Sequence, residues 1–405
     1  MRKNWIETSI GDIADVVGGG TPSTGVAEYW GGNVVWLTPT EVVAKNGKTV
    51  NDSIRKITVK GLASSGAQLL PPGSVVLTSR ASVGFAAISE CALATNQGFQ
   101  SLVPGKKVLA HFLMYWIHAN RHEFDSRAAG STFKEISKFN VKAIKLYLPP
   151  LSEQRRIVDL ISTVDSYIDA LQYRVTCARK SRNAVLYEIL NTGGDDWTET
   201  TLGQVGHLGL FSDGDWVESK DQDPDGNYRL LQLADIGDGI FLNKSNRWLN
   251  EEQFSRLSCT KLKANDLLIA RMPEPVGRAC LMPEDIPRAA TVVDVAIIRT
   301  NNDLLQKILV LILNEETFRA KATSLLTGTT RQRVSRSNLS GIDFRLPPIQ
   351  EQERIVDLIS VMDEGIGQTK KLIAEAKLLR SSLILDLLNG EHDIPENYDL
   401  VLDAS

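Results

Sequence analysis

The sequence predicts an α+β protein: two mixed α/β globular domains joined by two long antiparallel coiled-coil helices, with a pseudo-twofold internal repeat. Three observations lead there. Residues 149–165 (PPLSEQRRIVDLISTVD) and 347–363 (PPIQEQERIVDLISVMD) are identical at 12 of 17 positions, at an offset of 198. Each copy opens a long apolar seam in steps of four and three. Each is preceded by a region that matches the other only in fragments. A chain of 405 residues exceeds one ordinary core, so two heads are expected.

The first head, residues 1–148, holds short apolar runs such as Val34–Leu37 and Ser74–Leu77 beside the turn signal Pro71-Pro72-Gly73. One helical stretch is predicted near Leu109–Ala119. The first long helix follows at 149–191. Pro149 and Pro150 block helix upstream, Ser152 suits the N-cap, and Glu153 suits the positive helix end. Its seam runs Ile157, Ile161, Val164, Ile168, Leu171, Val175 and Ala178, then Val185 and Ile189. This spacing is that of a coiled coil.

The second head, 197–346, opens like the first: Trp197-Thr198-Glu199-Thr200 echoes Trp5-Ile6-Glu7-Thr8. Its expected strand is Leu267–Ala270 and its expected helix Asp303–Ala322. The second long helix, 347–390, repeats the seam, and a tail, 391–405, ends the chain. Only a few residues separate the first helix from the second head. That helix must lead from one head to the other, so a second helix packed on it runs antiparallel.

An arginine occupies the same inward seam position in both helices, Arg182 and Arg380. A charge there is costly unless paired. Aligning Ile157 beside Leu387 brings Arg182 to Asp363 and Arg380 to Asp165. Two symmetric interhelical pairs are therefore expected. The alternative is that both arginines snorkel to solvent.

The net charge of −4 does not mark a nucleic-acid binder. Residues 1–150, however, hold 16 Lys and Arg against 10 Asp and Glu, which allows a local basic face. Two equivalent segments mix small hydroxyl residues with bases: Ser131, Thr132, Lys134 and Lys138, and Thr330, Arg331, Arg333 and Arg336. Such groups suit phosphate contacts, or else a structural turn and helix start. Arg80 and Arg271 stand at what read as equivalent strand ends, as base or phosphate contacts or as structural ion pairs. Asn96 and Gln97 are candidates for adenine, or for loop capping. Gly18-Gly19-Gly20 reads as a tight turn. Asp213, Glu218 and Lys220 read as a solvated loop in preference to a nuclease site.

No catalytic or metal site is expected. There is no Asn/Asp-Pro-Pro-aromatic loop and no phosphate-binding glycine loop ending in Gly-Lys-Ser/Thr. Four scattered cysteines fit reduced thiols. No run approaches a membrane span, and Met1–Glu7 lacks an apolar leader core, so a cytoplasmic protein is expected.

The sequence resembles the specificity subunits of type I restriction-modification systems over nearly its whole length. The resemblance rests on Gly18-Gly19-Gly20-Thr21-Pro22-Ser23, Tyr29-Trp30-Gly31-Gly32 and Trp36-Leu37, and on Pro-Pro-Leu/Ile-x-Glu-Gln leading twice into Arg-Ile-Val-Asp. The second head departs from it, opening with Phe211-Ser212-Asp213-Gly214. The resemblance implies two target-recognition domains, each reading half of a split site on double-stranded DNA. It implies helices that set the spacer and dock two methyltransferase subunits, with restriction subunits in the full complex. It implies a non-catalytic chain binding no cofactor, with S-adenosylmethionine, ATP and magnesium on partner subunits. Two rival readings remain: an enzyme carrying its own site, and a coiled-coil adaptor that binds only proteins.

Overall fold

The computed structural model describes residues 4–130, 134–392 and 394–399. The chain forms two compact units. Unit 1 is Met1–Leu171 with Leu372–Ser405, and unit 2 is Gln172–Lys371. Each unit thus contains one head and parts of both long helices, because the late part of one helix packs beside the early part of the other. The helical segments 149–191 and 347–390 thus each contribute to both units.

In unit 1 a five-stranded sheet runs in the order Ala14–Gly18, Gln100–Pro104, Val75–Leu77, Ala86–Ser89, Thr49–Val50. A three-stranded sheet places Trp30–Leu37 between Lys56–Ile57 and Leu93–Thr95. Val75, Val76 and Leu77 are all buried, as expected of a strand covered on both faces. Unit 2 repeats the plan. Its four-stranded sheet runs Leu210–Asp213, Val295–Arg299, Leu267–Ala270, Ala279–Leu281. Its three-stranded sheet places Tyr228–Leu231 between Trp248–Leu249 and Ala289–Thr291. In both units the central strand of the small sheet pairs in parallel with its later neighbour.

An antiparallel ribbon closes each head: Ile6–Ser9 with Lys145–Leu148, and Thr198–Thr201 with Asp343–Leu346. The indoles beside these ribbons reach the long helices. Trp5 Nε1 donates to Glu153 at 3.1 Å and Trp197 Nε1 to Glu351 at 2.9 Å. Glu153 and Glu351 therefore anchor the ribbon besides complementing the helix dipole.

The long helices span Leu151–Thr192 and Ile349–Leu388. The first begins before Ser152, which lies inside its first turn and not at the N-cap. In unit 1, Ile157 and Ile161 share one core with Ile384, Leu387 and Leu388 of the second helix. In unit 2, Leu186 shares a core with Ile355 and Ile359. Within each unit an early segment of one helix meets a late segment of the other, so the pair is antiparallel.

The helical stretch predicted for 303–322 is two helices, Asp303–Leu313 and Glu316–Ser324. Asn314 turns its amide to Ala279 O at 2.8 Å, and Glu315 caps the second helix by accepting from Thr317 N at 2.9 Å. The segment after the second helix is tied down. Ile394 enters the unit 1 core, Arg156 Nη1 donates to Ile394 O at 3.0 Å, and the Tyr398 hydroxyl donates to Asp159 at 2.7 Å.

The structure brings both seam pairs together. In unit 2, Arg182 grips Asp363 with two hydrogen bonds, Nε to Oδ1 at 3.0 Å and Nη2 to Oδ2 at 2.9 Å. In unit 1, Arg380 donates to Asp165 through Nε, and through Nη2 at 3.2 Å. The two pairs differ in setting. Asp363 is 50% exposed, whereas Asp165 is 29% exposed and also accepts from the Tyr115 hydroxyl at 3.1 Å. Burial, with the Asp165 charge next, pushes the Tyr115 phenol well above its usual range and keeps it a donor.

Double-mutant cycles on Asp165/Arg380 and Asp363/Arg182, read by chemical denaturation, should separate these settings. The unit 1 pair should show coupling of about 1–3 kcal/mol, as for a charge-assisted, partly buried bond. The unit 2 pair should stay below about 1 kcal/mol, because water screens its carboxylate.

Candidate DNA interface

Each head presents a short basic turn docked against a strand end. In unit 1, Ala129 and Glu135 exchange backbone hydrogen bonds of 3.0 and 2.9 Å across the turn. In unit 2, Thr327 and Arg333 do the same at 3.0 Å each. Gly130 and Gly328 occupy equivalent places with φ of 110° and 100°, a conformation that favours glycine. After each turn a serine caps a short helix: Ser137 Oγ accepts from Asn140 N at 3.2 Å and Ser335 Oγ from Asn338 N at 3.0 Å. At the described positions, Gly130 with 134–138 and Gly328 with 332–336, the sequence equivalence is thus an equivalence of backbone.

Each turn docks just past the C-terminal end of an inner strand of the large sheet, Val75–Leu77 or Leu267–Ala270. Ile136 N donates to Ser79 O, and Val334 N to Arg271 O, both at 2.9 Å. Residues 327–333 are exposed throughout, and so are Arg336, Lys134 and Lys138. Lys134 pairs with Asp125 at 2.8 Å and Arg333 with Asp294 at 3.3 Å, in both cases at the surface. Thr330 and Arg331 project on the exposed part of the second turn. Ser131 and Thr132 lie outside the described residues.

Arg80 and Arg271 are not equivalent. Gly84 N donates to Thr78 O at 3.0 Å and Gly277 N to Ala270 O at 2.8 Å. Thr78 therefore matches Ala270, Ser79 matches Arg271, and Arg80 matches Met272. The loop that follows is one residue longer in the second head, which displaced the alignment read from sequence. Arg80 is exposed, and its Nε stands 3.7 Å from Glu135, too far for a hydrogen bond. Arg271 is 4% exposed. Its guanidinium contacts Asp213 and donates to Val334 O at 3.1 Å and Val293 O at 3.2 Å. Arg271 is thus a buried structural ion pair that pins the basic turn, and it is withdrawn as a DNA contact.

The glycine run also has another role than expected. A Cβ on Gly19 would lie 1.9 Å from Asn96 O, and one on Gly20 would lie 2.3 Å from Ala67 N. Gly19 allows close backbone approach to the segment carrying Asn96 and Gln97, and Gly20 to Gly66 and Ala67. Trp36 Nε1 donates to Gly20 O at 2.9 Å and Trp30 Nε1 to Ser23 O at 3.1 Å, holding the loop in place. Arg55 stacks 3.7 Å above Trp30. The sequence reading passed over Arg55, since nothing local marks a cation 25 positions from its ring. Arg80, Asn96, Gln97, Thr40 and Pro39 line one cleft beside the basic turn.

The carboxylates weighed as a nuclease site are dispersed. Asp213 faces Arg271, and Glu218 pairs with Lys220 at 2.7 Å. Neighbouring Asp215 is held above the usual carboxylate range by burial, although Thr260 N donates to it at 2.9 Å.

Sequence comparison finds the family described as type I restriction modification DNA specificity domain, matched by residues 2–174 and 194–378. The MjaIX specificity subunit of Methanocaldococcus jannaschii is 32% identical over 191 residues, 47% of this chain and 42% of that relative. The EcoR124I/EcoR124II specificity subunit of Escherichia coli is 26% identical over 172 residues, 40% of this chain and 41% of that one. The chain thus spans about two-fifths of the length of these two relatives. The StySPI specificity subunit of Salmonella potsdam is 24% identical over 344 residues, covering 77% of this chain and 72% of the relative. Among solved structures, the type I restriction-modification S subunit of M. genitalium shares the fold at a TM-score of 0.53 and 14% identity, covering 97% of each chain. A chain from a study of assembly and conformational transition in the type I R-M system gives 0.65 at 16% identity, covering 96% of this chain and 98% of that one.

The two arginines should separate in denaturant titrations. Arg271→Ala leaves Asp213 without its buried partner and should cost about 3–5 kcal/mol. Arg80→Ala removes an exposed side chain and should stay within about 0.5 kcal/mol.

Proposed function

The chain belongs to the type I restriction modification DNA specificity domain family, and from that premise we propose that it is the DNA-reading subunit of a type I restriction-modification complex. Each head reads one half of a bipartite site on double-stranded DNA. The two long helices set the spacer and dock two methyltransferase subunits. Restriction subunits join them in the full complex. The chain itself is non-catalytic and binds no cofactor. S-adenosylmethionine, ATP and magnesium act on the partner subunits, and the complex works in the cytoplasm. No helix among the described residues is long and apolar enough to cross a membrane.

One observation carries this reading. Both heads dock an exposed basic turn on the same strand end with the same backbone hydrogen bonds, while the side chains around it differ. A shared frame with divergent surface residues is what two different half-sites require. The turns supply positive charge for phosphates, which position a reader without specifying bases. Residues Lys134, Lys138, Thr330, Arg331, Arg333 and Arg336 take that role, and the same role is assigned from sequence to Ser131 and Thr132, which lie outside the described residues. Two base-reading surfaces then need a fixed separation and rotation along the duplex, which a stiff helix pair can provide.

The test replaces residues 1–148 with the same region of another family member and maps methylated motifs in cells that supply the methyltransferase subunits. One half of the motif should change and the other should persist. A change in both halves would overturn the modular reading. A wild-type chain that directs no bipartite methylation would overturn the assignment itself.

A further inference from the structure

The backbone hydrogen bonds allow the two heads to be matched position by position. Gly20 N donates to Thr95 O at 2.9 Å, and Asp215 N to Thr291 O at 2.7 Å. Asn96 N donates to Leu37 O at 3.1 Å, and Val292 N to Leu231 O at 3.2 Å. Ser79 N donates to Gly98 O at 2.8 Å, and Arg271 N to Asp294 O at 2.9 Å. Asn96, Gln97 and Gly98 therefore match Val292, Val293 and Asp294, just as Arg80 matches Met272.

The chemistry at these matched positions inverts. The first head presents a guanidinium and two amides; the second presents a thioether and two valines. The frame does not demand either set, since the backbone bonds are the same in both. Nor does burial demand it at most of them: Arg80 and Gln97 are exposed, and Met272 and Val293 are only partly covered, whereas Val292 packs against the core of its head. Both sets sit beside the basic turn, because Ala81 N donates to Lys134 O at 2.9 Å and Arg271 receives Val334 N. Base edges offer matching partners for each chemistry. Arginine suits guanine O6 and N7, an amide suits adenine N6 and N7, and apolar side chains suit the thymine methyl.

We propose that Arg80, Asn96 and Gln97 in the first head, and Met272 and Val293 in the second, are the specificity-determining residues. The first head reads purine edges through hydrogen bonds, and the second reads thymine methyl groups through apolar contact. This rests on the DNA-reading assignment above. The local bonds refine the roles. Asn96 Oδ1 accepts from Gly98 N at 2.8 Å, so its amide nitrogen is the end left to donate, toward a base acceptor. Gln97 Oε1 accepts a hydrogen bond from the Thr21 hydroxyl, which orients the amide while leaving its second lone pair and both N–H donors. Gln97 thus retains the donor-acceptor pair that adenine requires. Asp294, at the fourth matched position, faces Arg333 and is not a reader.

The experiment maps the methylated motif for the full chain with its methyltransferase partner, comparing wild type with Gln97→Glu, Arg80→Ala/Gln97→Ala and Met272→Ala/Val293→Thr. Gln97→Glu replaces a donor-acceptor amide with an acceptor, so the base at one position should shift from adenine toward cytosine. The Arg80/Gln97 double variant should lose about tenfold or more of its selectivity at one or two positions of one half-site. The Met272/Val293 variant should relax thymine positions in the other half-site alone. Thermal unfolding of each variant close to wild type shows that the fold is kept. Strict wild-type motifs in all three variants would overturn this inference and leave the DNA-reading assignment standing. A wild-type chain with no bipartite motif would overturn both.

Discussion

A cation in the seam between two helices has to find an anion or leave the seam. Arg182 and Arg380 stay, and each finds an aspartate of the opposite helix, Asp363 and Asp165. Both aspartates end the same duplicated motif, so the duplication supplies both halves of each pair. Apolar seams alone tolerate sliding by one heptad, since isoleucine packs on isoleucine in either register. Sliding would here separate both pairs at once. The role proposed for the pairs is therefore less net stabilisation than a choice among registers. Tyr115 ties one of them to its head as well, so the helix pair and the first head share a hydrogen-bonded fixture.

The heads use a similar economy. Their shared parts are backbone: the ribbon, the strand end, the glycine turn and the serine cap. These bonds do not depend on surface side chains, so surface residues are free to differ between copies. The buried Arg271 shows the limit of that freedom. It pins the second basic turn through Val334 O, a task that Ser79 in the first head accomplishes with backbone alone. A basic residue near a basic turn is thus not by that fact a DNA contact; its burial and partners decide.

The repeat, the antiparallel helices and the Arg–Asp partners were legible in sequence because each follows from periodicity and an offset. The strands 75–77 and 267–270 were legible as apolar runs next to turn signals. Other features depend on residues distant in sequence. Nothing beside Arg271 announces that Asp213 will reach it from 58 positions away. Nothing beside Gly19 announces that Asn96 O will lie against it. The break at Asn314-Glu315 escaped because both residues are unremarkable in helices until their side chains cap neighbouring backbone. The match of Arg80 to Met272 escaped because one extra loop residue shifts the alignment just where side-chain identity has diverged.

The central claim is that the helix pair, held in register by its charge pairs, sets the spacing of the two readers. Inserting one heptad after Ala178 and another after Ile366 would lengthen both helices while leaving all four charged partners on their own sides of the insertions. Seven residues add about 10 Å of helix at ~1.5 Å each, close to three base pairs at ~3.4 Å. Methylation mapping should then return both half-sites unchanged with a spacer longer by about three base pairs. Full activity on the original spacer would contradict the account.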